Sequence, residues 1–217
     1  MSTFKKALLQ LHVFVFLAGL TGPLGYLIQL NGLMLVFYRM LLASVVLLFI
    51  YFFTQQKHNY NFATKFKLIG IGAIIALHWV CFYGSIKLAN VSIALVCFSS
   101  TSMFTSLIEP MATKIKIKWR DLLIGALSFI GILLIFHFDT KFRTGIIVGL
   151  VSALLASIFS VINKGVTNKV DTFTIQFYEM MGGVFFLSLI ILGSVGLNQN
   201  QFVLPRWNDW IWLFFLA

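Results

Sequence analysis

The chain has 217 residues, 60% of them hydrophobic and only 10% charged, with a mean hydropathy of +0.97. Soluble domains run at about 45–50% apolar and about 25% charged, so there is too little polar side chain here to cover a water-facing surface, and an integral membrane protein is the class that remains. The formal net charge of +10 would suggest nucleic acid in a soluble chain; here the cations fall in short segments between apolar runs, the pattern of a topology signal.

A helix needs about 20 mainly apolar residues to cross a hydrocarbon layer about 30 Å thick. The predicted spans are 6–30, 34–54, 66–88, 90–113, 122–138, 144–164 and 172–194. The first follows Lys5 and Lys6 as a leader would. It runs on to Leu30 with more apolar runs behind it, so it is read as a retained helix. Its "LTGPLG", Leu20–Gly25, predicts a proline kink or a broken helix. The second span carries Arg39, and the third carries His78, Trp79 and Tyr83. Almost no loop separates the third from the fourth, which holds "SSTS" at Ser99–Ser102 and ends in Glu109–Pro110. The fifth is short. In the sixth, Gly149, Ala156, Ser160 and Asn163 recur at helical spacing as a small, polar stripe. The seventh holds Glu179 with Gly182 and Gly183 just after it. A further apolar run starts at Trp207, and its eleven residues to Ala217 would rise only about 16 Å as a helix.

Orientation follows from Lys and Arg in the short loops. With the N-terminus cytoplasmic, the inner segments hold Lys5, Lys6, Lys57, Lys65, Lys67, Lys114, Lys116, Lys118, Arg120, Lys164 and Lys169. The outer segments hold Lys87, Lys141, Arg143 and Arg206. That bias predicts a cytoplasmic N-terminus, with Trp119, Trp207, Trp210 and Trp212 as interfacial aromatics.

The phrases "VFYRM" (Val36–Met40) and "QFYEM" (Gln176–Met180) lie 140 residues apart and differ in charge at Arg39 and Glu179. Shifted by 140, the second span falls on the seventh and the third on the run from Trp207. The first falls more loosely on the sixth. Five crossings per unit put the second unit in from the opposite side. The expected fold is therefore an all-α polytopic membrane bundle built as an inverted repeat of five-helix units. Seven complete spans and the start of an eighth are expected here, with unit one at 1–138 and unit two opening over 143–217. Completing the second unit implies a parent protein of roughly 280–290 residues and ten helices.

Ionisable groups inside spans are candidates for function because they are costly there. Glu109 reads either as an ion pair with the loop lysines or as a proton or substrate site. Glu179 reads as a carboxyl bonded to a neighbouring helix or as one that changes protonation. Arg39 attracts a substrate carboxylate or snorkels to the outer interface. His78 is an interhelical donor or a proton relay. Trp79 and Tyr83 share one face, as packing or as a cavity wall. The hydroxyls of the fourth span bond back along their own helix or line a polar cavity. Cys81 and Cys97 have no disulfide or metal spacing, and no cofactor or metal site is expected.

"VFYRMLLASVVLLF", "HWVCFYGSIKLANVSIALVCFSSTSMFTSLIEP" with its terminal Glu109, and "GIIVGLVSALLASIFSVINKGV" resemble the EamA-type members of the drug/metabolite transporter superfamily. The resemblance covers nearly the whole chain and departs from the family in length. It implies ten helices in two halves, in a multi-pass protein of the cell membrane, here a bacterial inner membrane. It also implies ATP-independent export or exchange of a small metabolite, amino acid or drug by alternating access. No GxxxxGK[ST] is present, in accord with that. On this reading the substrate contacts are His78, Trp79, Tyr83, Ser99, Thr101, Ser160 and Asn163, and the coupling candidates are Glu109, Glu179 and Arg39. The partners are a small-molecule substrate and the lipid bilayer, with a homodimer left open and no nucleic acid. An enzyme is not expected: there is no G-x-S-x-G and no paired Asp or His cluster at fixed spacing. The alternative is a non-transporting membrane partner or channel subunit.

Overall fold

The computed structural model describes residues 3–54, 60–138, 140–197 and 202–217; Lys57, one of the predicted inner cations, lies outside them. The elements are α1 (Thr3–Leu27), α2 (Gly32–Thr54), α3 (Phe62–Leu88), α4 (Val91–Ser99), α5 (Thr101–Thr113), α6 (Trp119–Phe138), a single 3-10 turn (Thr140–Phe142), α7 (Arg143–Lys164), α8 (Thr172–Gly196) and α9 (Trp207–Leu216). The described chain is all-helical. Six segments are long and apolar enough to cross a bilayer: Phe4–Leu27, Gly32–Phe53, Phe62–Leu88, Val91–Thr113, Arg143–Lys164 and Thr172–Ser194. The protein is a multi-pass helical bundle. α6 coincides with the predicted short fifth span and is not among the six.

Short polar side chains set the helix starts. Asn31 accepts from the Met34 N–H, Asn61 from Thr64, Asn90 from Ile93 and Asp171 from Thr174. Such N-caps satisfy an orphan donor and contribute about 1 kcal/mol each. They place the first turns of α2, α3, α4 and α8. α7 begins at Arg143 and α8 at Thr172, each 140 residues after the starts of α1 and α2.

Two expectations change in detail. The fourth span is split at Ser100 into α4 and α5, where Ser100 N–H bonds to the carbonyl of Cys97. The first is not broken: α1 continues through Pro23 to Leu27. Left-handed Lys114, at φ 56°, ends α5.

α3 is the centre of the bundle, packed against α2, α7 and α8. Its buried side chains include Leu68, Ile71, Ile75, Phe82, Tyr83 and Ile86. α7 runs antiparallel to it, with His78 opposite Ser152 and Ser85 opposite Gly145. α8 comes in at backbone contact. A Cβ on Gly72 would meet the carbonyl of Glu179, and one on Gly182 would meet the backbone of Ile69. Close approach through glycine is how helices associate where burial from water gives no drive. The outer faces carry Phe14, Phe16, Phe52, Phe53, Phe66 and Leu192, all exposed, as the predicted contact with lipid requires.

Candidate functional site

The polar side chains of the spans fall into two groups. The first surrounds Arg39 of α2. Its Nη1 donates to the Tyr83 hydroxyl at 2.7 Å, and its guanidinium carbon stands 3.9 Å over the Trp79 ring. Tyr83 is fully buried and bonds in turn to Thr21, whose hydroxyl donates to the Ala18 carbonyl at 2.7 Å. Arg39, Tyr83 and Thr21 thus link α2, α3 and α1. Gly25 lies flat on the Tyr83 ring, where a Cβ would strike the ring carbons. Arg39 Nε is buried and has no hydrogen-bond partner. Arg39 therefore turns inward onto α3.

The second group surrounds Glu179 of α8, only 2% exposed. Asn163, near the end of α7, hydrogen-bonds its side chain, while Glu179 Oε1 and Asn163 Oδ1 remain without partners. A carboxyl buried with one neutral partner is costly to hold ionised.

His78 lies between these groups on α3. Its Nδ1 is 2.8 Å from the Ser152 carbonyl and 2.9 Å from the Ser152 hydroxyl, and its ring packs against Phe82, Phe98 and Phe159. Because the carbonyl can only accept, Nδ1 carries a proton, which fixes the imidazole's donor toward α7.

The remaining candidates separate. Thr101 donates its hydroxyl to Phe98 and Ser99 to Val96, both within the turn before. Ser99 is exposed and its hydroxyl is satisfied locally, so it joins neither group. Ser160 is exposed on α7 and also stands apart. Glu109 pairs with Lys164 at the end of α7, not with the lysines of its own loop as anticipated. The pair is partly exposed, Lys164 at 67%, and such pairs contribute about 0–1 kcal/mol.

Two residues that sequence reasoning passed over do more. Ser152 and Ser157 are fully buried on α7. Ser152 holds His78; Ser157 donates to the Thr101 carbonyl at 2.9 Å and receives the Thr105 hydroxyl at 3.2 Å. The signal for them is the spacing of Gly145, Gly149, Ser152 and Ala156, all buried. That row is the packed stripe of α7, and Ser160 is off it.

The EamA-like transporter family matches residues 5–137 of this chain. The chain belongs to the EamA-like transporter family. No curated protein and no solved structure matches it. The family match ends just before α7, so the contacts of α3 and α5 with α7 and α8 join the matched segment to the rest. Members of the family are generally transporters of small molecules, not enzymes.

Proposed function

We propose that this EamA-family protein moves a small organic solute across the bacterial inner membrane by alternating access, outward, with its N-terminus in the cytoplasm. The solute passes between residues 1–138 and the unit opening at 143, which are inverted copies. The observation that carries this is where the buried polar groups collect. His78 meets Ser152, Ser85 meets Gly145, Thr105 meets Ser157, and Glu179 comes against Gly72. All lie where α3 and α5 face α7 and α8, and polar groups inside spans mark substrate and ion routes.

The repeat reading is supported by helix register and direction. Arg39 and Glu179 are each seven residues past the first residue of their helices. Met40 lies against Gly183 while Tyr51 stacks on Phe177. Numbers rise along α2 as they fall along α8, so these two helices run antiparallel, as equivalent helices of inverted copies must. Glu179 is the coupling residue of this reading, with Trp79, Tyr83 and Asn163 near the path.

The test is counterflow in proteoliposomes carrying the full chain. Saturable, protein-dependent exchange of a small organic solute supports the proposal. Absence of exchange over a broad panel of amino acids, organic acids and amines removes it.

A further inference from the structure

We propose that Arg39 is the anchor for a carboxylate, so that the solute of this protein is a small organic monocarboxylate. The inference deepens the transport reading and rests on it for the claim that the bound anion is cargo. Arg39 carries a permanent charge inside a span, yet among the described residues no carboxylate pairs with it. Its neighbours are neutral: the Trp79 ring 3.9 Å from the guanidinium carbon and the Tyr83 hydroxyl 2.7 Å from Nη1. Tyr83 takes only the Nη1 side. Nε, on the opposite edge, is enclosed and has no hydrogen-bond partner. Nε with Nη2 is one of the edges by which a guanidinium grips a carboxylate through two parallel bonds. The side chain as a whole keeps partial exposure, so a small anion approaches the guanidinium from that side and engages Nε by displacing the side chains that cover it.

The chain's own buried carboxyl does not serve as that partner. Glu179 meets α3 at Gly72, whereas Arg39 meets it at Trp79 and Tyr83. Seven to eleven residues along a helix are about 10–16 Å. One unmatched cation with one free edge suits a single negative charge.

The experiment uses the full chain in dodecyl maltoside and phosphate-free buffer, with benzoate as probe. Neutral benzamide and inorganic phosphate are the controls, and the thermal unfolding midpoint is the readout. Benzoate should raise the midpoint saturably and benzamide should not. Arg39→Lys keeps the charge but loses the fork, and should weaken the apparent affinity about tenfold or more. Thr21→Val, which alters α1 only where it meets Tyr83, keeps the fork and should bind within about threefold of the parent, which separates loss of the anchor from damage to the α1–α2–α3 contact. The proposal is overturned if benzoate gives no shift, if benzamide does as well, or if Arg39→Lys binds as tightly as the parent. A stronger response to phosphate also overturns it, and assigns the site to phosphate or a lipid head group. Counterflow keeps the two readings apart. Arg39-dependent benzoate binding without flux retains the site and removes transport. Saturable flux of a neutral solute that is indifferent to Arg39→Lys retains transport and removes the carboxylate.

Discussion

The backbone of Glu179 on α8 occupies the space a side chain would need at Gly72 on α3. This contact brings the buried carboxyl to the middle of the bundle, and it makes position 72 intolerant of any Cβ. Gly72→Ala should destabilise by about 1–3 kcal/mol through forced helix separation, outweighing the gain of about 1 kcal/mol in helix propensity. Gly70, two residues earlier, has nothing within 4 Å of its Cβ direction. Gly70→Ala should be neutral or slightly stabilising. Paired thermal melts of the two variants decide this, and equal effects would contradict the close α3–α8 contact.

Glu179→Gln preserves the shape of the side chain and its ability to bond Asn163, but it cannot ionise. The expected result is membrane abundance near the parent level with transport reduced at least tenfold and its pH dependence flattened. Rate per unit of protein across a pH series is the measurement. Normal pH-dependent transport would make Glu179 structural and pass the coupling role to Glu109 or His78.

His78→Ala removes the donor to the Ser152 carbonyl from a buried site. The Ser152 carbonyl keeps its bond within α7, so losing this second hydrogen bond costs about 0.5–1.5 kcal/mol, and the lost ring packing against Phe98 and Phe159 adds to it. His78→Gln, which restores a donor of similar reach, should recover part of the loss. Denaturation in detergent reads both. No difference between Gln and Ala would mean that the ring contacts, not the hydrogen bond, hold α3 to α7.

For topology, single cysteines at Gln29 and Lys116, in a background without Cys81 and Cys97, should report opposite sides. Both positions are exposed. An impermeant thiol reagent on intact cells should label the cysteine at Gln29→Cys and spare that at Lys116→Cys. The reverse pattern would invert the orientation drawn from the cation bias.

The sequence alone determined where most of the helices lie and where along each helix its polar residues fall. Hydropathy marks a span because crossing a bilayer demands an unbroken apolar run. Short caps such as Asn61 and Asn90 mark the starts locally. The 140-residue register of Arg39 and Glu179 was likewise legible, since it needs only counting. Tertiary structure decided which way each helix is turned. A span must be apolar on every side, to face lipid as well as protein, so it lacks the one-sided pattern that reveals the buried face of a soluble helix. Ser152 and Ser160 look alike along α7, and only packing against α3 buries the first and leaves the second outside. Glu109 had several lysines within reach along the chain, and the approach of α7 chose Lys164. Arg39 was visible as a charge in a span. That it rests on Trp79, leans on Tyr83 and keeps one edge unpaired depended on how α1, α2 and α3 close around it.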